Sequence, residues 1–287
     1  MSHIANSIRG SLNVITGCAS GLGKATLERF LRHGSGPILA VDRRFEPQFL
    51  ENLDATDAER DLVVLGEYDT FDEEKAASSL AQFAAKNGTI DNLINVAGVA
   101  LAFTFFSEAS DPTKHKIYAL NHAYDLVNFN TVGTFNMIRL AAQHMIDTDA
   151  TKHGNSVNNR SKCIVNTSCM STTKPSFGQT AYASSKSALD SMTLCIAREF
   201  SSVNIRCNTI NVGYFDTRLL RANDQRVCDF IEKEKTLCPK RLGQPDEFAH
   251  LVQSIIENRM LNGACIKIDA GAEPAQDKSA SRNSGQQ

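Results

Sequence analysis

The sequence predicts an α/β fold: a single doubly wound domain with a mainly parallel sheet flanked by helices. Three observations carry this. Short apolar runs alternate with helix-periodic segments along almost the whole chain. The runs are apolar throughout instead of at every second residue, as suits strands buried on both faces. No repeat, linker or composition break divides the 287 residues, a length that suits one large domain. That domain is expected over residues 1–275. Residues 276–287, QDKSASRNSGQQ, offer almost nothing to bury and read as a disordered polar tail.

Each element follows in order. Residues 12–16 form the first strand, which runs into a glycine-rich turn and a helix whose Leu27, Phe30 and Leu31 share a face. Gly34 and Gly36 stop that helix. Residues 38–41 are the second strand, ended by Asp42. A polar loop over 54–61 leads to the third strand, 62–65. A helix over 72–86 turns Ala76, Leu80, Phe83 and Ala84 inward. The fourth strand covers 93–96, and one long helix covers 120–146. A second polar loop, 147–162, precedes the fifth strand, 163–166. A helix over 180–200, a sixth strand over 205–210 and a last strand over 265–268 complete the pattern.

Composition narrows the function. Apolar residues make up 42% and charged ones 22%, the balance of a globular chain. A net charge of −2 gives no global basic field of the kind nucleic-acid binders show. No run approaches the roughly 18 apolar residues that cross a bilayer. The eight cysteines form no CxxC and match no zinc-ligand spacing, so no metal is expected. Reduced, buried thiols of an intracellular protein are the simpler reading. Residues 1–11 carry one Arg and no apolar core, unlike a secretory signal.

The chemistry begins at Thr16-Gly17-Cys18-Ala19-Ser20-Gly21-Leu22-Gly23. Gly17, Gly21 and Gly23 let the backbone turn tightly and approach a pyrophosphate, and the helix that follows offers its amides to that anion. A glycine trio alone fits any tight turn. Its place between the first strand and a helix points to dinucleotide binding and a Rossmann domain. Asp42, nineteen residues after Gly23, suits both ribose hydroxyls of adenosine and would repel a 2′-phosphate. That favours NAD, although Arg43 and Arg44 follow directly. Asp69 either bonds the adenine edge or caps a helix. Asn95-Val96-Ala97-Gly98 has small residues against which a ribose can lie, or is a turn that needs Gly98.

Tyr182 and Lys186 stand four apart on a predicted helix, on one face. An ammonium beside a phenol lowers its pKa, which makes an acid/base for an alcohol and its ketone. Ser168 and Cys169 end the fifth strand ahead of them. Asn130 lies on the long helix, where an amide can bridge waters. Residues 210–217, INVGYFDT, follow the sixth strand, where a hydroxyl and backbone can hold a carboxamide.

Together TGCASGLG, the NxAG of residues 95–98, Asn130 and Tyr182-x-x-x-Lys186 resemble the short-chain dehydrogenase/reductase family, over about residues 10–275. Residues 132–140, 214–220 and 241–258, with the long segment between Gly98 and Asn130, resemble its mitochondrial members that oxidise 3-hydroxyacyl-CoA thioesters and hydroxysteroids. The resemblance implies an NAD-dependent mitochondrial homotetramer. In animals it implies a second, non-catalytic role beside a tRNA methyltransferase and in tRNA 5′-end processing. It implies an NAD site lined by Ser20, Leu22, Asp42, Asp69, Thr70, Val96, Tyr182, Lys186, Phe215 and Thr217. Tyr182 would take the hydroxyl proton, Lys186 would hold the ribose, and Asn130 would hold a water relay behind Lys186. Three positions depart from the pattern. The family's catalytic serine, thirteen residues before the tyrosine, is Cys169 here, its proline is Val212, and Asp216 replaces a small residue. Cys169 predicts a slow enzyme.

Overall fold

A computed structural model describes residues 8–107, 113, 116–117, 119–146 and 161–274. The expected tail at 276–287 and most of the expected loop at 147–162 lie outside the described residues. Seven strands form one sheet: β1 Asn13–Thr16, β2 Ile38–Asp42, β3 Val63–Glu67, β4 Asn92–Asn95, β5 Lys162–Cys169, β6 Ile205–Val212 and β7 Cys265–Ile268. Their spatial order is β3-β2-β1-β4-β5-β6-β7, and every pairing is parallel. Chain direction across the sheet reverses between β1 and β4, which opens a crevice at their carboxyl ends.

The unbroken apolar runs are explained by burial on both faces. Successive residues point to opposite sides. Ile15, Ile94, Val165 and Ile210 face a core with Leu27 and Phe30 of α1 (Gly21–Arg32) and Phe248 and Val252 of α9 (Pro245–Glu257). Val14, Leu93 and Ile164 face a second core with Leu80 of α3 (Glu73–Asn87), Met137 of α5 (Gly133–Met145) and Ile196 of α6 (Thr180–Glu199). Gly34, at φ +76, ends α1 as expected.

Four local expectations change. The expected loop at 54–61 holds a short helix, α2 (Asp57–Arg60), because Thr56 and Glu59 close a capping box. β3 is an edge strand whose consecutive Val64 and Leu65 are exposed, so neither of its faces is fully covered. β5 and β6 run three and two residues past their expected ends at Asn166 and Ile210. The long helix runs unbroken from Leu120 to Met145 as expected, but it is not α-helical throughout: between α4 (Leu120–Val127) and α5 lies a π-helical turn, Asn128–Val132, which carries Asn130. The remaining helices are α7 (Arg218–Arg221) and α8 (Gln225–Phe230). Cys18, Cys163, Cys207 and Cys228 are buried, Cys169 is half-buried, and Cys195, Cys238 and Cys265 are exposed, so the thiols are free but not all hidden.

Candidate active site

The sheet and its loops place a cleft of about 260 Å³ over the carboxyl ends of β1, β2 and β4. Gly17, Ser20, Gly21 and Leu22 line it, with Asp42, Asp69, Thr70, Val96 and Thr217. Gly17 has φ +76, and a Cβ there would stand 2.7 Å from the Ala97 nitrogen, so β1 and β4 meet at this point only because it is glycine. Gly23 lies beneath the cleft, where a Cβ would run into the Gly17 carbonyl. It shapes the turn and lines nothing.

Asp42 is held by two backbone amides: Ala19 N–H donates at 2.9 Å and Arg43 N–H at 2.7 Å. Each oxygen keeps a lone pair for a further donor. The neighbouring guanidinium turns away from it. Arg43 lies 5.2 Å over the Phe129 ring and 3.9 Å from Asp69. Burial raises the Asp69 carboxyl above its ordinary value, against the pull of Arg43. Of the two readings of Asp69, capping falls away, because Asp72 caps α3 by accepting from Lys75 N–H at 3.2 Å.

The side chains of two expected cofactor residues do not line the cleft. Asn95 is buried and donates to Asn166 Oδ1 at 2.9 Å across β4 and β5, so its side chain ties strands together. The Phe215 ring is buried against Phe248, 6.5 Å between centroids, with Gly243 on its face. It reaches the core and not the cleft.

The acid/base end joins the cleft at Gly98. A Cβ on Gly98 would lie 3.0 Å from both Lys186 Nζ and Asn130 Oδ1. Lys186 Nζ donates to the Thr167 carbonyl at 2.9 Å. Burial lowers Lys186 to about 8, while the charges of Cys169 and Asp190 oppose that fall. The Cys169 thiol lies beside Tyr182, and burial, with that thiol, pushes the phenol well above its ordinary value. The expectation that Lys186 lowers the phenol is therefore not met in this state. Desolvation is the largest cause, and the ammonium donates to the Thr167 carbonyl.

Cys169 ends β5 beside Tyr182, where the spacing placed it. It caps a 3₁₀ turn, Met170–Thr172, by accepting from Ser171 N–H at 3.5 Å. Ser168 faces away, as strand alternation required, and donates to the Lys186 carbonyl at 3.1 Å. The turn breaks the extended backbone on which a direction shared by Ser171 and Cys169 would depend. Asn130 is fully buried and clamps Val99: Oδ1 accepts from Val99 N–H at 2.8 Å, and Nδ2 donates to Val99 O at 2.9 Å and Ser185 Oγ at 3.0 Å. Both amide hydrogens are spent on these bonds, so the side chain clamps the cleft wall.

The sequence reading overlooked Phe129, Arg218 and Leu219 as cleft residues, and Arg221. Arg221 Nε and Nη2 bind Asp216 at 2.7 and 2.9 Å, and these bonds hold that carboxyl below its ordinary value. The five-residue spacing of Asp216 and Arg221 was the available signal. Among the described residues, no cluster of His, Cys, Asp and Glu could hold a metal.

The short chain dehydrogenase family matches residues 12–227. Among the most similar relatives is 3-hydroxyacyl-CoA dehydrogenase type-2 of Drosophila melanogaster, 38% identical over 91% of this chain and 97% of the relative. The Homo sapiens protein of that name is 35% identical over 94% of this chain and 97% of its own length. A solved short chain dehydrogenase from Burkholderia cenocepacia, in complex with NADP, has a TM-score of 0.73 at 22% identity, covering 93% of this chain and 99% of that one. With its glycine turn, its Tyr182–Lys186 pair and an all-parallel sheet, this chain belongs to the short-chain dehydrogenase/reductase family of oxidoreductases.

Proposed function

We propose that the protein is an NAD-dependent dehydrogenase that oxidises the secondary alcohol of a 3-hydroxyacyl-CoA, or of a hydroxysteroid, to the ketone. The observation that carries this is Tyr182 with Cys169 and Lys186 at the Gly98 end of a cleft whose other end holds Asp42. The names of the two relatives favour the acyl-CoA. When bound, NAD supplies the hydride acceptor. Gly17, Ser20, Gly21 and Leu22 would hold its pyrophosphate, Asp42 the adenosine ribose, Asp69 and Thr70 the adenine. Val96 and Lys186 would hold the second ribose, and Thr217 the carboxamide. Tyr182 takes the hydroxyl proton, and Cys169 donates weakly to the same oxygen. The direct test is NADH formation by the purified protein with a short 3-hydroxyacyl-CoA. No turnover by the native chain or by Cys169→Ser, with NADH still bound, moves the reading to the non-catalytic role beside mitochondrial tRNA processing, which Cys169 favours.

NAD preference rests on Asp42, held by two amides, while Arg43 is engaged by Asp69 and Phe129. Asp42→Ala is expected to erase most of the selectivity for NAD, read as separate affinities for NAD and NADP. Equal or tighter NADP binding by the native protein would reject the assignment.

A mitochondrial homotetramer is part of the same proposal. Leu120, Tyr124 and Phe135 of α4 and α5 are 66%, 60% and 51% exposed, and Leu194 of the adjoining α6 is also exposed. An apolar face of this kind suits a partner helix pair. Light scattering should give four chains per particle at micromolar protein; a stable monomer would refute it.

A further inference from the structure

Behind the site lies a half-buried carboxylate that the reaction scheme does not use. Asp190 stands four residues after Lys186 on α6, so both leave the same face of the helix. Asn211 of β6, in register with Ser168 of β5, donates Nδ2–H to Asp190 Oδ2 at 2.7 Å and to Thr172 Oγ1 at 3.0 Å. The other oxygen of Asp190, Oδ1, is buried with no hydrogen-bond partner among the described residues. A carboxylate so placed needs a compensating charge nearby. Lys186, 5% exposed and one helical turn away, is the buried cation on that face.

We propose that Asp190, held by Asn211, is a positioning residue that keeps Lys186 protonated at working pH. The proposal rests on the reading of Tyr182 and Lys186 as the acid/base pair. Nearby negative charge favours the ammonium, and burial opposes it. Without Asp190, Lys186 loses its proton at lower pH and the phenolate loses its counter-charge.

The other ionisable groups around Lys186 are accounted for. Cys169 approaches from β5 and Tyr182 from the preceding turn of α6. Cys265 of β7 donates its thiol to the Asp190 backbone carbonyl at 3.8 Å. Lys267, opposite Asn211 in the register of β7, is exposed and screened by water. On β6, Arg206 is committed to carbonyls at the end of α9, and Cys207 is buried in the core. On α4, His122 stacks on Phe103 at 4.6 Å and Asp125 is exposed. The turns at 128–132 and 170–172 bring no ionisable side chain.

The test is Asp190→Asn, which keeps the shape and removes the charge. NADH binding, followed by fluorescence, and kcat and KM for a 3-hydroxyacyl-CoA are measured against pH. The alkaline limb of both profiles is expected to move about one pH unit toward acid. Near pH 8 the loss should fall on kcat more than on KM. Asp190→Glu should return the limb toward its native position, and Lys267→Met should leave it in place. If Asp190→Asn fails to fold, Asp190→Val removes the charge at similar volume and gives the same readout. A folded charge-free variant whose profiles coincide with the native ones overturns the proposal. A native protein that binds NADH but oxidises no hydroxyacyl-CoA overturns the substrate reading alone, since the binding profile still tests Asp190.

Discussion

Cys169→Ser is expected to raise turnover on a hydroxyacyl-CoA by about 10²–10³-fold, the usual worth of one preorganised donor to a developing oxyanion. Residue 169 is where such a donor belongs. It ends β5, lies beside Tyr182 and is fixed by the Ser171 amide at 3.5 Å. A thiol in this place is a weak donor with a longer reach. A hydroxyl on the same Cβ accepts that amide more strongly, as serine caps do, and keeps its proton free for the substrate oxygen. The fold should be untouched, so equal thermal midpoints are the control. Turnover is to be measured on a hydroxyacyl-CoA and on a hydroxysteroid. A near-isosteric thiol that already suffices would show as no gain. No gain, with Ser171→Ala abolishing activity, would pass the role to Ser171. That hydroxyl is buried without a partner among the described residues, and it stands on a 3₁₀ turn rather than on extended strand.

The same physics explains what the sequence made legible. Strands buried on both faces leave unbroken apolar runs, so β1, β2, β4, β5 and β6 could be read from composition alone. The glycine turn was legible because two of its glycines sit where any side chain would meet backbone. Tyr182 and Lys186 were legible because helix spacing is local. What stayed hidden depends on contacts distant in sequence. Nothing near Asn95 says that Asn166 will take its amide, and nothing near Phe215 says that Phe248 will take its ring. The π turn around Asn130 was hidden for another reason: residues 120–146 keep a helical apolar pattern across it. The altered hydrogen bonding leaves no mark on composition, yet it buries Asn130 where it clamps Val99.

Two of the three departures from the family pattern are absorbed by neighbours. Asp216 would bring an uncompensated acid toward the nicotinamide end, but Arg221 binds both of its oxygens. Val212, in place of a proline, continues β6 and pairs with Cys169 on one side and Ile268 on the other. Only Cys169 is left standing in the chemistry itself. The fold therefore accommodates the departures, and Cys169 is the one expected to act on the rate of the chemical step.

Tyr182→Phe is expected to lower kcat by about 10³-fold or more, at the upper end of what a positioned acid/base supplies. The ring remains and only the hydroxyl beside Cys169 is removed, so the protein should fold and still bind NADH. The pH profile separates this role from a structural one. Burial holds the phenol well above its ordinary value, so it is protonated throughout the neutral range. In that form it donates readily to a ketone but accepts a proton from an alcohol only in a rare ionised fraction. Each pH unit below its pKa changes that fraction about tenfold. Oxidation by the native protein should therefore climb with pH from neutrality until Lys186, lowered to about 8, begins to lose its charge. Reduction should run best where the phenol is fully protonated. The phenylalanine variant has no such group, and its residual oxidation should be flat over the same range. A variant that keeps the native slope would place the titrating base elsewhere, with Cys169 the first residue to examine.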